Sequence, residues 1–272
     1  MVRSVDLHLH ARVSGGQWEI LPLVRRLKEL SVDVASVTDH NTVENVPAFA
    51  DAATLQGIVP VSGVELDVGF NGAWWHLLLY GMCPEDPELL RLLDGVVTCN
   101  RERAYATWRC VEEHGFHLPS LEARTDLREM LDVAIALAED GHVSRAWEGY
   151  RLIVRLNPVL PDLYPLKDAI QRGHRAGALA VLAHPGRGSG GLYGRATADD
   201  LDVMTPLGLD GVEAHYHEHT AEQRAEFVAW AEDRGLVVTC GSDSHAPGNP
   251  WDPTPWPAGL CAKFLDRLGI VV

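Results

Sequence analysis

The sequence predicts an α/β fold in which short, buried β-strands alternate with amphipathic α-helices. Apolar runs rich in Val, each bounded by Gly or by polar residues, have the length and composition of buried parallel strands. Segments with apolar residues at helical spacing separate these runs; in residues 21–30 one helix face would carry Leu21, Val24, Leu27 and Leu30. About seven core strands are expected, which is compatible with a β/α barrel.

The elements follow one another in a regular order. Strands are predicted at residues 5–10, 34–37, 58–66, 73–80, 179–183, 211–214 and 236–240, and helices at residues 21–30, 43–55, 166–175, 198–207, 221–234 and 260–268. Asn71-Gly72 predicts a tight hairpin turn before the fourth strand. Residues 88–156 show helical periodicity only. We therefore expect a barrel domain formed by residues 1–87 and 157–272, and an inserted helical subdomain that covers the active site.

Side chains that commonly bind metals stand in the predicted strands or directly after them. A single His in an apolar run is more often a packed core residue, but burying so many titratable groups without partners would be prohibitively costly. Imidazole and carboxylate groups at the exits of several strands can converge on one face of a barrel, where they suit divalent cations bound side by side. The sequence therefore predicts a metal centre at the exits of these strands, with candidate ligands among the His, Asp and Glu side chains of residues 6–10, 39–40, 65, 76, 184 and 243–245.

Composition excludes several other classes of protein. With 272 residues, of which 46% are apolar, the chain is expected to be globular. No apolar stretch approaches 18 residues, so neither a transmembrane helix nor a signal peptide is expected. The formal charge of −15 argues against a broad nucleic-acid surface. Five cysteines without metal-binding spacing favour reduced thiols and a cytoplasmic location, and the oligomeric state is left open.

The order of these motifs resembles the PHP (polymerase and histidinol phosphatase) superfamily. The resemblance spans the chain and is closest to stand-alone bacterial phosphoesterases of that superfamily, some of which act on nucleotides or on the 5′ ends of RNA. It implies a distorted seven-stranded (β/α)7 barrel of PHP type with an inserted helical subdomain. The residues that carry it are His8-x-His10, Asp39-His40, Glu65, His76, His184-Pro185-Gly186-Arg187 and Gly241-Ser242-Asp243-Ser244-His245.

The resemblance also implies three cation positions. The first would be held by His8, His10, Glu65 and Asp243. The second would use His40 and His245, and the third would use Glu65, His76 and His184. Glu65 would then bridge two ions. The resemblance implies two to three divalent ions (Mn, Fe or Zn) that share a hydroxide, and this hydroxide would attack the phosphorus atom of the substrate.

Two departures from the family pattern bear on this site. Gly15-Gly16 stands where the family usually has Asp-Gly, so the second cation lacks its usual carboxylate and should bind weakly. Glu19 could replace that carboxylate, although a role in the first turn of the next helix is the alternative. Relatives that act on nucleotides carry an Arg-x-His arm in the insertion, whereas this chain has Arg124-Thr125-Asp126. The insertion and the loop at residues 188–193 are expected to shape the pocket.

Further residues are candidates for binding and positioning roles. Arg187 is expected to hold phosphate oxygens with a bidentate guanidinium, with an ordinary loop residue as the alternative. His215, His217 and His219 alternate after a predicted strand, and His217 is the candidate proton donor, with a solvated loop as the alternative. Asp6 and Asp39 are expected to accept imidazole N–H groups. At most one of Trp74 and Trp75 should face the site.

The expected activity is metal-dependent hydrolysis of phosphate monoesters of small molecules, with nucleotides among the candidates. The catalytic residues would be Glu65, Asp243, Arg187 and His217. One alternative is C–N bond hydrolysis of the amidohydrolase type, which usually needs a carboxylated Lys at the end of a strand. Here every Lys lies in a predicted helix, at positions 28, 167 and 263. The other alternative is a metal-binding module with weakened catalysis.

Overall fold

The computed structural model describes residues 2–124, 127–187 and 194–272. Within these ranges the strands are β1 (Ser4–Leu9), β2 (Val34–Val37), β3 (Val59–Pro60), β4 (Gly63–Phe70), β5 (Ala73–Tyr80), β6 (Leu179–Leu182), β7 (Gly211–His215), β8 (Val237–Cys240) and β9 (Trp256–Pro257). The α-helices are α1 (Ile20–Glu29), α2 (Val46–Leu55), α3 (Pro87–Glu113), α4 (Pro119–Glu122), α5 (Met130–Glu139), α6 (Ala146–Leu156), α7 (Leu166–Arg175), α8 (Ala198–Met204), α9 (Ala221–Asp233) and α10 (Ala262–Arg267).

The strands form two hydrogen-bonded sheets, with the orders β3-β2-β1-β9 and β4-β5-β6-β7-β8. Strands β1 to β3 are parallel, as are β6 to β8, whereas β5 is antiparallel to both of its neighbours. Isolated parallel bridges link the two sheets, one between Leu9 and Ser244 and one between His40 and Glu65. The α/β class is confirmed, but a closed seven-stranded barrel stays a prediction because the ladders do not run continuously around the molecule.

Most predicted elements are present with boundaries shifted by a few residues. The strand predicted at residues 58–66 is divided into β3 and β4, and the hairpin predicted at Asn71-Gly72 joins β4 to β5 with Phe70 opposite Ala73. The helix expected to begin at residue 43 begins at Val46, followed by Pro47, whose fixed φ suits the first turn of a helix. None of the helices in the described ranges is long and apolar enough to cross a membrane.

The segment between β5 and β6 forms a helical layer with an apolar core of its own. Helices α3 to α6 lie in this segment, and its buried cluster includes Val111, Leu121, Val133 and Ile153. Trp74 of β5 belongs to the same cluster, so the insertion packs directly on the strand that carries His76. This contact places the insertion beside the predicted site, and the division of the chain at residues 88–156 stays a prediction.

Candidate metal centre

The structure brings together all eight side chains that the sequence singles out as metal ligands. They come from the ends of parallel strands and from the β4–β5 hairpin. Six of the eight are almost completely buried, and these six form the first two groups of donors described below. The two bridges that join the sheets involve His40, Glu65 and Ser244, so the centre lies where the sheets meet. Convergence at strand ends therefore follows from the topology.

The first group of donor atoms surrounds one point between β1, β4 and the end of β8. His8 Nε2 and His10 Nε2 lie 3.1 Å apart, and each is 3.1 Å from Glu65 Oε2. Asp243 Oδ1 is 3.1 Å from His10 Nε2 and 3.5 Å from His8 Nε2. Four donors placed tetrahedrally at about 2.1 Å from one ion would be about 3.4 Å apart. The separations of these donors therefore fit a single cation.

A second group uses the other oxygen of Glu65. Its Oε1 lies 2.9 Å from His76 Nδ1 and 3.1 Å from His184 Nε2, and the two ring nitrogens are 3.4 Å apart. The carboxylate of Glu65 thus gives one oxygen to each group of donors. This is the geometry of a bridging ligand between two neighbouring cations.

A third group lacks a carboxylate of its own. Ring nitrogens of His10, His40 and His245 lie within 4.8 Å of one another, and the ring of His10 stacks on both of the other rings at centroid distances of 4.5 and 4.1 Å. His40 Nδ1 is 3.3 Å from Glu65 Oε2. Glu19 does not reach this group, because its side chain is exposed and pairs with Arg12 at 2.6 Å.

Several buried donor atoms of the centre have no hydrogen-bond partner among the described residues. They are His40 Nδ1, Glu65 Oε2 and Asp243 Oδ1. An orphaned carboxylate oxygen in the interior is costly unless a cation or a donor satisfies it. The orphaned atoms lie within the donor groups just described, so a chelated cation would satisfy them. The residues present therefore fit divalent metal ions.

The electrostatics of the centre keep its two central carboxylates ionised. Burial alone would raise the pKa of Glu65, but the imidazoles of His8, His76 and His40 hold it well below its usual range. Burial opposes ionisation of Asp243 as well, and the pKa of that carboxyl is held well below its usual range by His8 and His245. Two ionised carboxylates facing the same small space attract cations strongly.

The imidazoles of the centre divide into two classes by the direction in which their pKa is shifted. Burial lowers the pKa of His40 to about 3 and that of His245 to about 4, with help from the neighbouring His10. These two rings stay neutral, as metal ligands must be. Burial also acts against protonation of His76, but the charge of Glu65 and the hydrogen bond to Asp67 raise its pKa to about 10. A cation that binds His76 must therefore displace a proton.

Two positioning carboxylates were missed by the sequence reasoning. Asp67 lies directly opposite His76 in the β4–β5 ladder, and its Oδ1 is 3.2 Å from His76 Nε2. Glu213 of β7 accepts from His8 Nδ1 at 3.0 Å and from the backbone N–H of His184 at 2.9 Å. Carboxylates in such positions fix the tautomer and the orientation of the ligating rings.

The roles expected for Asp6 and Asp39 are corrected by the structure. Among the described residues, no imidazole N–H donates to Asp6. Its carboxylate accepts hydrogen bonds from the backbone N–H and the hydroxyl of Ser242 at 2.9 and 2.7 Å and from the backbone N–H of Thr254 at 2.8 Å. It therefore secures the loop that carries Asp243. Asp39 accepts from Ser14 Oγ at 2.6 Å, and that hydroxyl is 3.4 Å from His10 Nδ1. Asp39 thus reaches an imidazole only through a hydroxyl.

Arg187 lies beside the first group of donors. Its Nη1 donates to Asp243 Oδ2 at 2.9 Å, and its side chain lines a cavity together with His40, His76 and His245. His217 is placed differently, because its side chain is one-quarter exposed and its ring packs on Tyr216 at a centroid distance of 4.4 Å. The hydroxyl of Tyr216 is in turn 3.4 Å from Asp243 Oδ2.

Two other expectations concern residues near the site. His219 is buried, and its ring joins Ala214 O to the backbone N–H of Gly186. It therefore holds the turn that leads to Arg187. Trp74 lines the cavity, whereas Trp75 packs into the main core, and the expectation that at most one of them faces the site stays a prediction. The loop at residues 188–193 and residues 125–126 of the Arg124-Thr125-Asp126 stretch lie outside the described residues.

Two of the converging residues have unusual backbone angles. His184 has φ +23° and Asp243 has φ +52°, and positive φ values are uncommon for residues other than Gly. Such strain is found where surrounding interactions over-determine a conformation, commonly at functional sites. Here Glu213 holds the backbone of His184, and Arg187 holds the side chain of Asp243.

Comparisons with known proteins agree with this geometry. The chain is 26% identical over 270 residues to a 3′,5′-nucleoside bisphosphate phosphatase of Chromobacterium violaceum, covering 90% of this chain and 88% of that protein. It is 28% identical over 266 residues to a 5′-3′ exoribonuclease of Haemophilus influenzae, covering 91% and 92%. A solved structure described as an amidohydrolase from Chromobacterium violaceum, with bound sulfate and no metal, superimposes with a TM-score of 0.80 at 25% identity, covering 97% and 95%.

The family assignment rests on more than half of the chain. Residues 6–152 match the profile of the family described as PHP domain, and this stretch includes five of the eight converging candidate ligands. The remaining three come from the strand ends after β6 and β8 and complete the same centre. The chain is a metal-dependent phosphoesterase and belongs to the PHP domain family.

Proposed function

We propose that the chain hydrolyses phosphate monoesters of small molecules, nucleotides among them, with two firmly held divalent cations and a third held weakly. One observation carries the proposal: Glu65 gives one carboxylate oxygen to each of two donor groups, Oε2 to His8, His10 and Asp243 and Oε1 to His76 and His184. Divalent cations bound side by side neutralise phosphate charge and lower the pKa of a coordinated water to about 7.

The weaker third cation follows from the chemistry of its ligands. His40 and His245 are neutral imidazoles, and Gly15 lines the same cavity where the family usually has a carboxylate. A cation held by neutral rings alone gains less electrostatic energy than one that also meets an anionic oxygen. Mn, Fe and Zn all suit imidazole and carboxylate donors, so the native metal has to be identified by metal analysis of the purified protein.

Phosphate binding is assigned to Arg187. Its guanidinium has five N–H donors in a fixed fork, and the described contact with Asp243 uses one nitrogen. A guanidinium fork of this kind suits non-bridging phosphate oxygens at the cavity wall. We also retain His217 as the proposed proton donor to the leaving group; its place beside Tyr216, which contacts Asp243, supports this role.

A second cavity supports substrates that carry another anionic group. It has a volume of about 350 Å³ and shares Ser14, His40 and Glu129 with the cavity of about 440 Å³ at the metal centre. Its lining includes Arg101 of α3 and Arg128, and neither side chain has an acidic partner within 4 Å among the described residues. Two unpaired guanidinium groups in an acidic protein favour a second phosphate, as in a nucleoside bisphosphate.

C–N bond hydrolysis is the second candidate, since one similar structure is described as an amidohydrolase. The lysines weigh against it. Lys28, Lys167 and Lys263 lie in α1, α7 and α10, so none is placed to bridge cations, and Glu65 occupies the bridging position instead. Phosphate ester hydrolysis is therefore the better-supported function.

The test is a substrate panel with defined metals. Protein loaded with Mn²⁺, Zn²⁺ or Fe²⁺ is assayed against nucleoside monophosphates and bisphosphates, sugar phosphates, a bis-aryl phosphate diester, a short 5′-phosphorylated RNA and an N-acyl amide. Asp243→Ala should lower kcat at least about a hundredfold with metals saturating. Asp252→Ala serves as the control, because Asp252 pairs with Arg26 outside the centre. Turnover of the amide alone, or near-normal turnover by Asp243→Ala, would contradict the proposal.

A further inference from the structure

The cavity at the metal centre is lined both by candidate ligands and by side chains of the helical insertion. His40 and His76 contribute to the lining, and α6 adds Trp147 and Arg151. The cavity has a volume of about 440 Å³, within the range that takes small-molecule ligands. A substrate whose phosphate lies at the ligands would therefore present its alcohol portion towards α6.

Trp147 differs in exposure from Trp74, the other tryptophan that lines the cavity. Trp74, which faces the same cavity, is 7% exposed, whereas Trp147 is 52% exposed although it lines a concave surface. A half-exposed indole contributes little to the stability of the fold, because little of its apolar surface is buried. Because the exposed ring is rigid and flat, it offers a face on which another planar ring can stack.

Arg151 holds this indole in place. It stands four residues after Trp147, one helical turn further along α6, and its guanidinium carbon lies 5.4 Å from the centroid of the Trp147 ring. A guanidinium over an aromatic face is attracted to it and restricts its rotation. Among the described residues no acidic side chain lies within 4 Å of Arg151, so its charge is available to a bound ligand.

We infer that Trp147, oriented by Arg151, is a stacking platform for a planar aromatic group on the leaving alcohol of the substrate, and that it sets a preference for nucleoside phosphates over phosphates of simple sugars. The inference rests on the proposed phosphate ester hydrolysis. Stacking of a base on an aromatic side chain is worth about 1–3 kcal/mol. Loss of the platform should therefore cost about five- to a hundredfold in kcat/KM for substrates that carry a base.

Two substrates that differ only by the base provide the test. Adenosine 5′-monophosphate and ribose 5-phosphate carry the same primary phosphate ester, so the ratio of their kcat/KM values isolates the contribution of the adenine. With Mn²⁺-loaded protein we expect a ratio of about ten or more. Trp147→Ala should lower the ratio at least fivefold, and Trp147→Phe should retain most of it. Tyr105→Ala removes an exposed aromatic of the insertion outside this cavity, and it should leave the ratio unchanged.

The possible outcomes separate the inference from the function on which it rests. Hydrolysis of both substrates with a ratio near one, or equal losses on both substrates in Trp147→Ala, would overturn the stacking platform and leave phosphate ester hydrolysis in place. Hydrolysis of neither substrate would overturn the stacking platform, and it would also overturn the proposed function if no other phosphate ester of the panel is hydrolysed. A ratio that falls in Trp147→Ala and is largely retained in Trp147→Phe supports the platform. Phe keeps an aromatic face for the base at this position, whereas Ala removes it.

Discussion

Glu213 and His8 are 205 residues apart in sequence, yet the carboxylate of Glu213 lies 3.0 Å from His8 Nδ1 in the buried interior. The other oxygen of the same carboxylate accepts from the backbone N–H of His184 at 2.9 Å. One side chain on β7 therefore orients a ring of the first donor group and the backbone of a residue in the second. Burial opposes ionisation, but the pKa of Glu213 is lowered by His8, so an anionic acceptor is maintained.

Glu213→Gln is expected to weaken metal binding without removing a ligand. An amide retains an oxygen for one of the two donors but presents an NH₂ group to the other, so either His8 or His184 loses its partner. Loss of such an acceptor typically costs ten- to a hundredfold in metal affinity. Competition with a chromogenic chelator measures this directly. Glu232→Gln on the exposed end of α9 is the control. Unchanged metal affinity in Glu213→Gln would show that Glu213 does not support the metal centre.

Gly15 is expected to limit the number of firmly held ions. It has φ +85° and lines the cavity beside His40 and His245, and a Cβ placed on it would be 3.5 Å from Leu131, an ordinary contact. Asp tolerates left-handed backbone angles better than most residues. The wild-type protein should retain two ions per chain after gel filtration, and Gly15→Asp should retain a third.

Gly15→Ala separates the new carboxylate from the strain of any side chain at this position. Both variants carry a Cβ at φ +85°, but only Asp adds a ligand oxygen, so Gly15→Ala should retain two ions like the wild-type protein. Metal analysis by mass spectrometry counts the ions. Three firmly held ions in the wild-type chain would show that the centre does not need a carboxylate at this position.

The sequence was sufficient to predict which candidate ligands converge, because the order of the motifs resembles a known family and because side chains at the ends of parallel strands meet at one edge of a sheet. Asp67 could also have been predicted. It stands two residues after Glu65 and so shares its face of β4, and the hairpin turn at Asn71-Gly72 sets the register that places it opposite His76. The alternation of side chains along β4 and the predicted turn are together sufficient to predict this contact.

Glu213 and the wall formed by α6 could not be predicted in the same way. Glu213 shows in the sequence only as an acid within a buried strand, and its partner His8 is on a strand that the β7 ladder does not reach. The contact depends on how the two sheets meet, which no local pattern encodes. The position of Trp147 depends likewise on how the core of the insertion packs against Trp74.

Glu129 should make the stability of the chelator-treated protein depend on pH. Burial, together with the nearby charge of Asp67, raises the pKa of this carboxyl to about 8 from an ordinary value near 4.5. The folded protein therefore keeps a proton that the unfolded chain releases between these two values. The stability contributed by the neutral carboxyl is fully present below pH 4.5 and is lost as the pH rises towards 8.

Glu129→Gln removes this ionisation and should stabilise the protein more at pH 8 than at pH 5. A shift of one pKa unit corresponds to about 1.4 kcal/mol, and since Glu129 is partly reached by solvent we expect a gain of about 1–2 kcal/mol at pH 8. Urea unfolding with a chelator present at both pH values measures the difference. Glu122→Gln at an exposed position of α4 is the control, and an equal effect at both pH values would contradict the assignment.

Arg187→Lys should weaken phosphate binding while the charge is kept. Lys can still meet Asp243, but it cannot present two parallel N–H groups to a phosphate. Inhibition by inorganic phosphate should weaken by about tenfold, the loss of one good charged hydrogen bond. Metal content should stay the same, because no cation is assigned to Arg187. A variant that loses metal instead would show that Arg187 mainly positions Asp243.

His217 is tested by the chemistry of the leaving group. If its ring protonates the leaving oxygen, His217→Ala should slow the hydrolysis of alkyl phosphates by about ten- to a hundredfold or more, because an alkoxide needs a proton to leave. The same variant should hydrolyse p-nitrophenyl phosphate at nearly the wild-type rate, since p-nitrophenolate leaves without one at neutral pH. His219→Ala is a structural contrast: its ring holds the turn before Arg187, so losses on both substrates are expected. Equal losses on both substrates in His217→Ala would assign His217 to packing against Tyr216 and leave Tyr216 or the bound cations to assist the leaving group.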